Sequence, residues 1–339
     1  MTIKSLGNTL ATFKDIFGRT GNRAYRDFVP FSVTSSGTIA TPASGLAPGN
    51  GYVYHTFTGP GTFTVSGSSG TVEVFAVGAG GAGGNSGGGG GGAGGLVYAT
   101  DVSITAGSYS ISVGSGGTGF VQPNPSWPEA QNGGDTTFGT SPSPTYLIAK
   151  GGGAGTPMGG SVFPGGSGSG GSRNNAPGGT GTQPSQNPGF SNGTLNQYGN
   201  NGGASTAGFF PGGGAGGGGG GGAGGTGTVS SGPGNGSNGG VGRQYPNFTG
   251  PLIGVPSLAP LSGYFAGGGS GGNDGGVVAG GLGGGAPGGS GGPNFGSNTP
   301  GGNGVTNSGG GGGGAGSGPG TSGNSGNGGP GIVIIRYLA

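Results

Sequence analysis

Apolar and polar residues alternate along this chain in short bursts separated by long stretches with almost no side chains. "YVYHTFT" (52–58) and "TFTV" (62–65) follow a two-residue period and are joined by "GPG", which predicts a β-hairpin; "TVEVFAV" (71–77) predicts a third strand. Further strands are expected at "GLVYA" (95–99), "SYSISVG" (108–114), "TYLIAKG" (145–151) and "GIVIIRYLA" (331–339). Glu73 and Arg336 are lone charges inside two of the most apolar of these segments, so the two strands are expected to be neighbours with the charges paired. One segment follows a different period. In "SLGNTLATFKDIFGRTG" (5–21), Leu6, Leu10, Phe13, Ile16 and Phe17 recur at helical spacing, with Asn8 or Thr9 available as a cap and Gly18 to end the helix.

The stretches between the strands dominate the composition. Of 339 residues 108 are glycine, and 28% are hydrophobic. Glycine loses more backbone freedom on folding than any other residue and has no side chain to bury, so stability has to come from pairing nearly every backbone group at once. Collagen does this with glycine at every third position and abundant proline, but this chain has consecutive glycine runs and 25 prolines. Uninterrupted glycine implies a backbone crowded from all sides, as in polyglycine II: left-handed helices of three residues per turn, packed side by side with their N–H groups bonded to neighbours. Spacing-three rows of side chains, Ala79, Ala82 and Asn85 in one run and Ala223, Thr226 and Val229 in another, are expected on the skin of such a bundle. The expected fold class is therefore mainly irregular and β: a small β module plus a polyglycine II bundle, with one short N-terminal α-helix.

Charge and chemistry narrow the function by exclusion. The net charge is +2, without the clustered Lys and Arg of a nucleic-acid footprint. Five of the nine basic residues, Lys4, Lys14, Arg19, Arg23 and Arg26, fall in the first 26 positions; with the apolar face of the predicted helix they point to a docking segment for a partner protein, the alternative being an ordinary N-terminal helix packed on its own domain. Cysteine is absent, His55 is the single histidine, and the seven acidic residues are scattered, so no triad, thiolate metal site or carboxylate pair suggests itself. No enzymatic activity, cofactor or metal is expected. GxGxxG matches are inevitable at this glycine content and lack a strand-turn-helix context. Apolar stretches are too short to span a bilayer, and the first residues lack the pattern of a secretory leader.

The connections between glycine runs hold most of the aromatic residues, set among Asn, Gln, Ser and Pro: "FVQPNPSWPEAQN" (120–132), "TPMGGSVFP" (156–164), "NPGFSNGTLNQYGNN" (187–201), "GFFPG" (208–212), "RQYPNFTGPLIGVPSLAPLSGYF" (243–265) and "PNFGSNT" (293–299). Rigid apolar anchors with adaptable polar neighbours are the chemistry of paratope loops, and a stiff scaffold carrying such loops is a common recognition surface. Candidate ligand contacts are Trp127, Phe163, Phe190, Tyr198, Phe210, Tyr245, Phe248, Tyr264 and Phe295. The same residues could equally lock the loops onto the ends of the lattice.

The order "VEVFAVGAGGAGG", "GGGGGGAGGLVYA", "YSISVGSGG", "GGDTTFG", "GGGAG" and a closing "GGPGIVIIRY" resembles the glycine-rich domain that recurs in bacteriophage tail-fibre and related virion proteins, over roughly residues 55–337. It is also similar to the distal adhesins of T-even-like phages, in which glycine-rich segments form polyglycine II sandwiches and the connecting loops contact the host receptor. The resemblance implies a protein of the virion surface, on tail or capsid exterior, whose partners are other virion proteins (fibre, tail or capsid) and a bacterial surface protein or glycan. The alternative is a capsid-attached fibre or decoration protein with no specific receptor. The expected organisation is a virion-docking segment over 1–45, with Leu6, Leu10, Phe13, Ile16 and Phe17 as its docking face; a β-rich module over 46–115; and the polyglycine II domain with recognition loops over 116–339. The oligomeric state is open, a trimer being one option.

Overall fold

The computed structural model describes residues 30–121, 130–156, 160, 162–172, 175–205, 216–232, 234–273, 278–285, 300–318 and 321–339. The helix expected within 5–21, its docking face and the basic cluster all lie outside them. In chain order the strands are β1 (Ser32–Ile39), β2 (Tyr52–Ser66), β3 (Gly70–Val77), β4 (Leu96–Ile104), β5 (Gly107–Ser112), β6 (Thr136–Phe138), β7 (Leu147–Ala149), β8 (Thr194–Tyr198), β9 (Arg243–Gln244), β10 (Tyr264–Phe265), β11 (Ser317–Gly318), β12 (Thr321–Ser322) and β13 (Ile332–Leu338). Short 3-10 turns occur at Gln183–Ser185, Pro246–Phe248 and Pro256–Leu261.

The fold is mainly β. One antiparallel sheet has the order β7-β6-β5-β2-β13-β3-β4-β8, with β1 on the remaining edge of β2. "GPG" at 59–61 is not a hairpin turn: β2 runs straight through it. One edge of β2 pairs with β13 over Tyr52 to Phe57 and with β5 over Gly61 to Val65, so Pro60 falls at the change of partner, where a missing N–H breaks no ladder bond. Position 45 lies between β1 and β2 and position 115 between β5 and β6, and β13 comes back from the C-terminal end to lie between β2 and β3. The expected pairing of the lone charges is present: Arg336 stands opposite Glu73, with Nη2 2.8 Å from Oε2.

Alternation sorts the sheet into two buried faces. Phe57, Phe63, Val72, Val74, Ala76, Val97, Val333 and Ile335 line the inside of the curl. Tyr54, Phe75, Val77, Leu96, Ile332 and Ile334 line the other face and are covered by Phe248, Ile253, Leu258 and Phe265. The two ends of the sheet are joined by side-chain amides. Gln183 and Asn187 each donate both to the Ile148 carbonyl on β7 and to Gln197 Oε1 on β8, and Asn187 Oδ1 accepts from the Ile148 N–H at 2.7 Å. This clasp closes the curl and satisfies an edge that backbone pairing leaves open.

The glycine runs form the lattice that their composition requires. In residues 78–84, the N–H groups of Gly78, Gly81 and Gly84 bond to Gly95, Gly92 and Gly89; those of Ala79 and Ala82 bond to Gly134 and Gln131; those of Gly80 and Gly83 bond to Gly329 and Gly326. Each neighbour is met at every third residue, which is a helix of three residues per turn. The carbonyls of the same run accept from Gly152 and Gly155, from Gly312 and Ala315, and from Gly117, with all these bonds between 2.7 and 3.1 Å. One rod thus donates to three neighbours and accepts from three others, the hydrogen-bonding pattern of polyglycine II. Ala79, Ala82 and Asn85 are not on the skin but buried, and Ala82 packs with Ala130, Ala154 and Phe163 in a small apolar cluster. In the second row Ala223 is buried as well, whereas Thr226 and Val229 are exposed.

Candidate functional site

Trp127, Phe210 and Phe295 lie outside the described residues. The other six aromatic candidates fall into three places. Phe163 is half-buried against the alanine cluster. Tyr198, Tyr245 and Phe248 join an aromatic seam where residues 243–265 cover the outer face of the sheet, and Tyr264 stands on β10 beside it. Phe190 stands in a separate cleft.

The seam is built around Phe75. Its ring lies 4.8 Å from Phe248, 5.0 Å from Phe265 and 5.1 Å from Tyr245, and Tyr98 is 5.2 Å from Tyr245. Phe248, expected to contact ligand, is 1% exposed and has no ring face left for one, because the 3-10 turn Pro246–Phe248 drives it between Tyr54 and Phe75. The Glu73–Arg336 pair lies at one rim of the seam. Glu73 also accepts from the Tyr98 hydroxyl, and the Arg336 guanidinium stacks over Tyr52 at 4.2 Å and Phe248 at 4.9 Å. Burial disfavours the Arg336 charge, but the Tyr54 hydroxyl and the Glu73 carboxylate overcome this and hold the guanidinium above its ordinary value. Burial, then the bond to Glu73, pushes the Tyr98 phenol above its ordinary range; burial, then Tyr198, does the same to Tyr245. Elsewhere on the seam the exposed Arg243 lies 3.7 Å over the Tyr198 ring and has no carboxylate partner among the described residues.

The cleft is a concave surface apart from the seam. It has a volume of about 490 Å³ between the β6–β7 turn (141–146) and the loop that leaves the amide clasp (186–190). Pro142, Pro144 and Pro188 are exposed on its walls, with Tyr146 and Phe190 half-buried behind them. Both walls are fixed. Asn187 is held by its bonds to Ile148 and Gln197, Ser143 Oγ is 2.9 Å from Thr145 Oγ1, and the Ser191 N–H reaches the Pro144 carbonyl at 3.4 Å. Sequence reasoning found Phe190 and missed Tyr146, Gln186 and the three prolines. "SPSP" and "NPGF" are turn signals, and their convergence depends on the clasp, which joins positions 39 residues apart.

A family model described as a glycine-rich domain matches residues 56–338. The chain belongs to this glycine-rich domain family. Its matched region begins within β2 and ends in β13, so it takes in the lattice, the cleft, most of the seam and the sheet apart from β1 and the start of β2. The comparison with curated proteins returns no match.

Proposed function

We propose that this glycine-rich domain protein is a bacteriophage virion component, a tail-fibre tip or adhesin that attaches to a host surface without catalysis. The observation that carries the reading is the lattice. Rods bonded to neighbours on every side form a stiff body in which side chains are nearly absent, so chemistry is confined to the connections and to the sheet faces. Phe190 and Tyr146 in the cleft, and Arg243 on Tyr198 at the seam, offer half-exposed rings and a fixed cation to a partner. The resemblance to virion glycine-rich domains supplies the setting, with other virion proteins on one side and a bacterial surface protein or glycan on the other.

A second reading, a capsid-attached fibre or decoration protein, is favoured by the burial of Phe248 and the packing of Tyr245 and Phe163, which act as locks for their loops. Imaging virions with gold-labelled antibody against this chain tests both. Label at a tail or fibre tip supports the adhesin, label across the capsid supports decoration, and particles without label refute both.

A further inference from the structure

We propose that the cleft between residues 141–146 and 186–190 binds a neutral saccharide, stacked on Phe190 and Tyr146 and hydrogen-bonded at its hydroxyl edge. The inference deepens the proposed attachment role and rests on that reading. Among the described residues no acidic or basic side chain lines the cleft. A charged ligand would therefore lose water without gaining a counter-charge, and that cost excludes it.

The polar groups present are uncharged and poised. Gln186 donates through Nε2 to the Thr182 carbonyl at 3.0 Å, and its Oε1 accepts nothing among the described residues. The Tyr146 hydroxyl likewise has no hydrogen-bond partner among the described residues, although its ring is half-buried. A sugar ring presents a C–H face that stacks on an aromatic and an edge of hydroxyls that both donate and accept. It is matched by a ring beside a free acceptor and a free hydroxyl. An extended peptide fits less well. The prolines on the walls have no N–H, so main-chain carbonyls of a peptide would meet few donors. The volume is within the range of small-ligand sites, and the clasp holds both walls before binding, which keeps the ordering cost low.

The test is a titration of the purified full chain with three probe sets: neutral oligosaccharides bearing glucose, galactose, mannose or N-acetylglucosamine; uronate- and phosphate-bearing oligosaccharides; and a proline-rich peptide. Binding to a neutral saccharide that falls about tenfold or more in Phe190→Ala and about threefold to tenfold in Tyr146→Phe supports the proposal. Since Phe190 also packs against the core, Gln186→Ala gives a third variant at a half-buried surface position, with thermal unfolding of each variant as the control. Binding only of charged saccharides, only of the peptide or of no probe overturns it, as does neutral binding that all three variants leave unchanged. Adsorption to host cells is measured in parallel. Adsorption that stays at the wild-type level in variants that have lost saccharide binding overturns the cleft's part in attachment while leaving both the saccharide site and the adhesin intact. Saccharide binding without adsorption sinks the adhesin while leaving the cleft.

Discussion

Gly83 donates to the Gly326 carbonyl, and a methyl group built on its Cα would fall inside the van der Waals shell of the Gly313 carbonyl, which belongs to a neighbouring rod. Backbone cannot rotate away as a side chain can, so Gly83→Ala is expected to cost about 1–3 kcal/mol or more, read as a lowered melting temperature. Gly189 is the contrast: a methyl there meets nothing within 4 Å, and Gly189→Ala should be neutral or stabilising by up to about 1 kcal/mol. Equal effects of the two would refute the view that crowding, rather than flexibility, selects glycine in the rods. His55 is the second residue whose surroundings decide its behaviour. It is fully buried, its Nδ1 is 2.7 Å from Ser35 Oγ, and its Nε2 has no partner, with the Gly45 backbone closing that side. Burial lowers its pKa from 6.5 to about 4. The imidazole is neutral in both folded and unfolded chains above pH 6.5, where its contribution is intact. As the pH falls from 6.5 to about 4 the unfolded chain takes up a proton that the folded chain refuses, and about 3 kcal/mol of stability is lost. Denaturant melts across this window should show the slope in the wild type and a flatter profile in His55→Gln.

Among elements, the pairing of β3 with β13 places Glu73 and Arg336 on the seam face, and their neighbours make the pair more than a surface bridge. Glu73 holds the Tyr98 hydroxyl as well, while Arg336 is buried between Tyr52 and Phe248. Glu73→Gln leaves that guanidinium without its counter-charge and should cost about 3 kcal/mol, the lower end for a broken buried pair because Glu73 keeps some solvent contact. The double variant Glu73→Leu with Arg336→Met removes both charges and should be more stable than Glu73→Gln; urea titrations of the three proteins decide this, and a double variant less stable than the single would overturn it. This pairing was legible in the sequence because two lone charges in apolar strands have few ways to be satisfied. β5 is legible from its alternation, and β3, β4 and β13 from short apolar, β-branched and aromatic runs bounded by glycine. The continuity of β2 through Pro60 is not legible, since a proline between two glycines signals a turn unless the strand changes partner there. β8 is not legible because "TLNQY" is polar, and what makes it a strand is its pairing with β4 over five residues. The burial of Phe248 is not legible, because an aromatic among Asn and Pro looks the same whether its loop stands free or folds back on a sheet.

For the molecule as a whole, the sheet and the lattice share their chain so closely that neither has a boundary of its own. β3 runs directly into the rod at 78–84, the returning rod at 89–95 runs into β4, and β7 and β13 likewise adjoin the rods at 151–155 and 326–331. Strands spread around a curled sheet thus converge, past its end, into rods that pack on all sides. Ordering a glycine costs about 1–2 kcal/mol, and one hydrogen bond returns about as much or less, so a rod holds only when all its neighbours are in place. The alanine cluster around Ala82 adds little apolar burial to the lattice. The main source of side-chain stabilisation is therefore the sheet, through the Phe57 and Phe75 faces, and the rods survive because the strands fix their starting points. Amide exchange should then report a single cooperative unit: Gly81, Gly83, Gly92 and Gly312 should exchange with the same opening free energy as Val333 to Ile335 in β13. A core variant such as Phe75→Ala, expected to cost about 3–5 kcal/mol, should speed exchange in those glycines by the same factor as in β13 although it touches none of them. If instead the glycines exchange faster than β13 in the wild type and ignore Phe75→Ala, the lattice is stable independently of the sheet and the account given for its order is wrong.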